Sequence, residues 1–568
     1  MNALCPRRKF LEIAGVAAAL CAALLLNLAL PAETALAVAA GGAQGRRVMV
    51  VSESSYATHA GLEILKHGGN AVDAACAAEL AAGVTNPGAT GLGGGGFMLI
   101  YLAKPHAFYA LDFRETAPLK AAPEMYMRNG KADEDLARTG ALAVAVPGEI
   151  AGISTALKRF GTIKFQKAAG EAESLAIHGF VASPHLAVEI ADNAKALERD
   201  PELREVFLTA AGTPRKSGEQ IAEHNLGAAL KSLGDHPEAI FYHGRIAGQI
   251  AALMQAKGGI IGKEDLAGYR PIWRDPLQRE YHGYEVHAMP PPSSGGVLLE
   301  MLGILSPGKL AGLGVNSPPY LARLIEVMRE GFIERNRYGD PAFVNVPIEE
   351  MLSDRHIAEL RDRALHRKAL PPTSNAHDHG TSNLIVADAD GNVVALTATI
   401  NTAFGAKIAV PGSGIILNDE MDDFSVAPGV PNAYQLQGAA ANEIRPGKRP
   451  LSSMTPIIVT KDGRPVMSTG GSGGPTILTG VLQVTLDILD FHLGPEEAVG
   501  LPRIHEQAAP ATVMAEKSMP SATIGELRQM GYELKTVPAL GAIGAIMLEP
   551  GNLRGAFDPR KGGAAQGY

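Results

Sequence analysis

One stretch limits the fold more than any other: residues 381–401 read as a β-hairpin whose return strand is polar where a core strand should be apolar. Leu384 to Asp388 and Val393 to Asn401 are β-rich runs, and the Asp390-Gly391 pair between them is a strong turn signal. Alternation puts Val393, Ala395, Thr397, Thr399 and Asn401 on one face. Closing the turn sets Thr381 opposite Thr399, and any plausible slip of register still returns Thr397, Thr399 or Asn401 to its neighbourhood. Three polar side chains on such a face need partners or a chemical task. A Gly-Thr dipeptide alone is an ordinary loop. The returning strand is what makes Gly380-Thr381 read as a buried nucleophile at a cut site.

At 568 residues the chain can bury a large core, and length alone favours several domains. It has 59 acidic and 51 basic side chains, a net charge of −8, and no long basic run, which excludes nucleic acid as the expected partner. Pro6-Arg7-Arg8-Lys9-Phe10-Leu11 precedes an apolar run from Val16 to Leu30, and small residues follow at Ala35-Leu36-Ala37 and Ala37-Val38-Ala39. That is an export signal, of twin-arginine type or else an ordinary secretory signal or uncleaved anchor. The mature chain is expected to begin near Val38 or Ala40, in the periplasm or outside the cell. No later run is long and charge-free enough to span a bilayer. Cys5 and Cys21 fall in this leader, which leaves Cys76 in an alanine-rich helix as a small apolar residue. Disulfides and paired-cysteine zinc sites are therefore not expected.

The body opens with a strand at Val48 to Val51, a helix from Tyr56 to His67, and a second helix over Ala71 to Val84 capped by Asn70. The run from Gly91 to Gly96 is not a phosphate loop: no Lys-Ser/Thr follows, and it leads into a strand, Phe97 to Tyr101. A tight turn with close backbone approach fits it better. Arg114, between Phe113 and Glu115, is either half of a surface ion pair or a fork for a substrate carboxylate. Residues 146–268 are mainly helical, Met289 to Gly296 is a stiff turn, and helices are expected at Ser317 to Tyr338 and Ile348 to Leu365. Leu370 to Asn375 reads as an exposed linker before the cut site.

Downstream of a strand at Gly414 to Leu417, four acids occupy five positions from Asp419 to Asp423. By itself this is a solvated turn or, without EF-hand spacing, a poor calcium loop. The Pro428 to Pro446 loop, with Tyr434, is long enough to cover a cleft. Ser452 and Ser453 supply hydroxyls, and Gly473-Gly474 ahead of a helix from Thr476 offers amide donors for an oxyanion. His377 and His379 are a possible metal pair by type, but two residues apart in a linker they read as solvated.

Several of these motifs, in order, resemble the γ-glutamyltranspeptidases (glutathione hydrolases) of the N-terminal-nucleophile hydrolase superfamily. They are Gly68 to Ala75, Leu92 to Phe97, Asp112 to Glu115, Pro290 to Gly296, Gly380-Thr381, Asn418 to Ser425, Arg449 to Met454 and Asp558-Pro559-Arg560. The resemblance implies an α+β fold, a four-layer αββα sandwich formed jointly by two chains of one autocleaved precursor. Residues 1–39 would be the export signal, 40–380 the large subunit and 381–568 the small one. It also implies Thr381 as nucleophile, with Thr399 and Thr397 bonded to it and Gly473 and Gly474 as oxyanion hole. Asn401, Glu420 and Asp423 would hold the α-amino group of a γ-glutamyl donor. Arg114, Ser452 and Ser453 would hold its α-carboxylate, and Tyr434 joins the substrate-binding set. The expected donor is glutathione or another γ-glutamyl compound, the acceptor water, an amino acid or a dipeptide, and no cofactor or metal is implied. Asn383 stands where the family usually has histidine, so slowed processing or altered packing is expected there. Two other readings remain at this point: a β-lactam side-chain acylase of the same fold, and a non-catalytic, exported amino-acid-binding relative.

Overall fold

In the computed structural model, which describes residues 41–366, 380–427 and 429–568, the central hairpin has the expected register. Strands Ser382–Ala387 and Val393–Thr399 pair antiparallel with Ser382 opposite Ala398, which carries Thr381 opposite Thr399. Asp388 closes the turn by accepting from the backbone N–H of Asp390 (3.0 Å) and of Asn392 (2.9 Å). Gly391 sits at φ +86°, a left-handed position that glycine takes without a Cβ clash. The export signal, the linker and the His377/His379 pair lie outside the described residues.

The hairpin is the middle of a seven-stranded sheet ordered Ala564–Gly567, Met49–Ser52, Ser382–Ala387, Val393–Thr399, Gly95–Leu102, Ala107–Asp112, Ile272–Arg274. A second seven-stranded sheet is ordered Gly41–Gly45, Asn552–Phe557, Ala542–Glu549, Arg464–Ser472, Ile457–Lys461, Tyr284–Ala288, Leu277–Tyr281. Its strand Arg464–Ser472 lies against both strands of the hairpin.

Side-chain alternation builds the layers. Val394, Leu396 and Ala398 pack into one core with helices Ser55–Lys66, Ala71–Thr85 and Glu149–Phe160. Ile385, Val393 and Ala395 point the other way, into a core shared with Ile457, Met467 and Ile543 of the second sheet. Helices Gly295–Leu305, Pro318–Arg335 and Thr476–Leu489 belong to that same core. The result is helix, sheet, sheet, helix. Each fully buried aliphatic side chain contributes roughly 1.5–3 kcal/mol, and a one-residue slip would turn Thr397 and Thr399 into the alanine-rich helix layer, so the register is firmly set.

Both sheets draw strands from before Gly380 and after Thr381. The two segments therefore share one body, where length alone favoured several. The glycine run does what close approach requires: a Cβ on Gly94 would lie 2.1 Å from the Thr399 carbonyl oxygen, and one on Gly96 2.3 Å from that of Thr397. Two elements differ from expectation. The helix expected over Ile348 to Leu365 is two, Ile348–Met351 and Asp354–His366, with the Ser353 hydroxyl accepting from the His356 N–H at 3.3 Å where the second begins. The strand expected at Gly414 to Leu417 is only Ile415–Ile416; the Leu417 N–H still donates to the Ile408 carbonyl at 3.1 Å, and Leu417 also bridges Gly93. No helix among the described residues is long and apolar enough to cross a membrane.

Candidate active site

Thr381 stands at the head of the central strand and is 3% exposed. Its hydroxyl donates to the Gly380 carbonyl oxygen at 2.8 Å, and the Thr399 hydroxyl donates to the same oxygen at 3.0 Å. Thr399 Oγ1 is itself fixed by accepting from the Asn401 N–H at 2.8 Å. Two hydroxyls thus converge on one buried carbonyl oxygen, an arrangement that polarises the carbonyl. Residue 380 must be glycine on steric grounds, since a Cβ there would lie 2.4 Å from the Gly88 carbonyl oxygen.

In the uncut chain Thr397 has a partner of its own. It shares the face of Thr399, but its hydroxyl accepts from Asn383 Nδ2 at 3.0 Å rather than meeting Thr381. Asn383 also donates to the Leu396 carbonyl at 3.1 Å. A Cβ on Gly470 of the second sheet would come within 2.3 Å of its amide nitrogen. Asn383 is thus a packed, inter-sheet residue that anchors Thr397.

Arg114 is fully buried, which removes the surface-pair alternative. Its guanidinium pairs with Glu420 through Nη1 and with Asp423 through Nη2. Glu115 lies 3.7 Å from Nη1, and Nε donates to the Pro450 carbonyl at 3.4 Å. Burial works against the Arg114 charge, but Glu420, Asp423 and Glu115 outweigh it and hold its pKa above the ordinary guanidinium value. The acid cluster is no solvated turn either: Asp419, Glu420 and Asp422 are fully buried. Burial pushes the Glu420 carboxyl up, with Arg114 opposing. Burial likewise takes Asp422 up to about 7, against the pull of Arg138, whose Nε donates to it at 3.0 Å.

Asn401 carries the polar row to its end in a left-handed conformation, φ +76°. Its Nδ2 donates to the Asp419 carbonyl at 3.0 Å, and its own carbonyl accepts from the Tyr434 hydroxyl at 3.0 Å. The covering loop therefore reaches the site, and Tyr434 is buried. Its ring lies where a Cβ on Gly474 would come within 2.5 Å of it. Gly473 and Gly474, at φ +125° and +58°, turn the chain from strand Arg464–Ser472 into helix Thr476–Leu489 as expected.

Thr381, Thr399, Asn401, Arg114, Glu420 and Asp423 border one cavity of about 20 Å³, room for about one water molecule. Tyr434, Ser452, Ser453 and Gly474 also line it, with Met454 and Ile477. Thr397 and Gly473 are not among the bordering residues. Two neighbours had no sequence signal: Asn432, whose Nδ2 donates to Asp423 at 3.3 Å, and Arg335, whose Nη2 donates to Ser453 Oγ at 3.2 Å.

An αββα sandwich with a buried threonine at the head of a central strand, directly after a glycine, defines an N-terminal-nucleophile hydrolase. The family model of Gamma-glutamyltranspeptidase matches residues 57–568. The glutathione hydrolase proenzyme of Escherichia coli (strain K12) is 40% identical over 528 residues, 91% of each chain. That of Pseudomonas sp. (strain A14) is 38% identical over 541 residues, 92% of this chain and 94% of the relative. Among solved structures, cephalosporin acylase from Bacillus halodurans superposes with a TM-score of 0.84 at 28% identity, covering 95% of this chain and 99% of that one. Helicobacter pylori gamma-glutamyltranspeptidase gives 0.54 at 32% identity, covering 57% of this chain and 96% of that one. The chain belongs to the gamma-glutamyltranspeptidase family. It is an enzyme of the γ-glutamyltransferase and glutathione-hydrolase type, and the acylase is a more distant relative by sequence.

Proposed function

We propose that the chain is made as an exported precursor, cuts itself between Gly380 and Thr381, and then uses Thr381 to transfer γ-glutamyl groups from glutathione or a related donor. The observation that carries this is the pair of hydroxyls on the Gly380 carbonyl, Thr381 at 2.8 Å and Thr399 at 3.0 Å. In the cut, Thr381 Oγ adds to the Gly380 carbonyl carbon, the C–N bond breaks as the nitrogen takes a proton, and an ester results. Water hydrolyses the ester, leaving a Gly380 carboxylate and a Thr381 with free hydroxyl and free amine. That α-amine, with an ordinary pKa of about 7.7–8.0, serves as base for its own hydroxyl.

Donor binding is an exchange of ion pairs. In the uncut chain Arg114 is held by Glu420 and Asp423. The donor brings a carboxylate for the Arg114 fork and an ammonium for the two acids, so no buried charge is left unpaired. Asn401 spends its Nδ2 on Asp419, which leaves Oδ1 as an acceptor for the ammonium. Thr381 Oγ then attacks the γ-carbonyl, Gly473 and Gly474 supply N–H donors to the developing oxyanion, and the proton taken by the α-amine goes to the leaving amine, cysteinylglycine when the donor is glutathione. Water releases glutamate; an amino acid or dipeptide acceptor gives transfer. The zwitterion-matched charges also favour a γ-glutamyl donor over an apolar acyl group, which has no use for Arg114 or the acids.

The large and small chains remain together because they share both sheets. Thr381→Ala is expected to run as one uncut chain and to lack turnover. Two fragments from that variant on a denaturing gel would overturn the proposal.

A further inference from the structure

Arg335 ends helix Pro318–Arg335 and is 8% exposed. Among the described residues no carboxylate lies within ion-pairing distance of it, so it is a buried cation with hydroxyl partners. Its Nη2 donates to Ser453 Oγ at 3.2 Å and its Nε to Ser294 Oγ at 3.2 Å. Ser294 in turn donates to the Ser452 carbonyl at 2.6 Å. One guanidinium thus grips both adjacent serines, one by its hydroxyl and the other through Ser294. Burial lowers its pKa to about 10, Asp423 opposing and Arg114 adding, which still leaves it charged at neutral pH.

The hydroxyl geometry gives this grip a direction. A serine hydroxyl has one proton to donate and lone pairs to accept with. Ser453 accepts from Arg335, and Ser452 accepts from the Met454 N–H at 3.1 Å. With an incoming N–H on each oxygen, both protons are free to point at an anion in the cavity that the two serines border.

We infer that Arg335 is a positioning and specificity residue: it orients the Ser452-Ser453 pair as donors and supplies the second positive charge, beside Arg114, that selects donors bearing a free α-carboxylate. This rests on the γ-glutamyl reading above and adds a residue to it. Arg335 does not touch the reacting atoms.

The test compares wild type, Arg335→Gln and Arg335→Lys on two donors, a γ-glutamyl anilide and the same compound with its α-carboxylate converted to a carboxamide. For the carboxylate donor, Arg335→Gln should lower kcat/KM about 10- to 100-fold through KM, the scale of a hydrogen bond to a charged group. Lysine should recover part of the loss by keeping charge without the fork. For the carboxamide donor, wild type and Arg335→Gln should agree within about twofold, because no carboxylate remains to be selected. An unchanged KM for the carboxylate donor, or an equal loss on both donors, overturns the inference. Should Arg335→Gln fail to give the two-chain enzyme, the same contrast between donors is read from Arg335→Lys. Wild-type enzyme that turned over neither donor would defeat the γ-glutamyl reading and this inference with it.

Discussion

Removing the Thr399 hydroxyl should stop the precursor from cutting itself at a useful rate while leaving its fold in place. Thr399 Oγ1 lies 3.0 Å from the Gly380 carbonyl oxygen and is 3% exposed, so the bond acts in a site closed to bulk water. As that carbonyl becomes tetrahedral its oxygen gains negative charge, and losing one such donor costs roughly 10²–10³ in rate, about 2.7–4 kcal/mol. Thr399→Val keeps the shape and removes the donor. It also takes the acceptor from the Asn401 N–H, now 2.8 Å away, which costs about 1–3 kcal/mol of stability and should lower the melting temperature. Thr399→Ser keeps the hydroxyl and should cut within about tenfold of the wild-type rate. The assay is a time course of purified precursor on a denaturing gel, with melting followed in parallel. A valine variant that cuts at the wild-type rate, or a serine variant as slow as valine, would refute the reasoning.

Arg114→Lys keeps the charge but loses the planar fork shared between Glu420 and Asp423. Self-cleavage should proceed while KM for a γ-glutamyl donor rises at least about tenfold, measured by steady-state kinetics on the processed enzyme. Glu223 is 3% exposed, and burial alone pushes its carboxyl up to about 8 from an ordinary 4.5. The folded state therefore binds this proton more tightly than the unfolded chain, so stability is full below the ordinary value and falls as pH rises to about 8. Glu223→Gln should remove that fall, being more stable than wild type at about pH 9 by on the order of a few kcal/mol, and so melting higher there, while matching it near about pH 4. Equal melting shifts at both ends would contradict the buried-acid account.

The hairpin was readable because all its determinants are local: the Asp390-Gly391 turn, the alternation, and the polar row that alternation exposes. The face of Thr397 was readable too, but not its partner. Asn383 sits directly across the ladder from it, and it is the missing side chain of Gly470 in the other sheet that leaves room for the amide. Arg114 and the acids from Asp419 to Asp423 looked like surface charge because unpaired charges are rarely buried. Their counter-charges come from some 300 residues away in the chain, as with Arg138 on Asp422 (3.0 Å), and only the long motifs hinted at that. Arg335 had no signal at all. An arginine at a helix C-terminus is ordinary dipole compensation, and its role depends on Ser294 and Ser453 converging from two other segments.

The central claim is that the threonine making the cut is the threonine that carries the γ-glutamyl group. The direct measurement is peptide mass spectrometry of processed enzyme quenched in acid during turnover of a γ-glutamyl donor. The account predicts a small chain beginning at Thr381, heavier by one glutamyl residue, with the added mass on the N-terminal peptide and lost on chase with an amino acid acceptor. A glutamyl adduct on any other residue, or a small chain beginning elsewhere than Thr381, would contradict it.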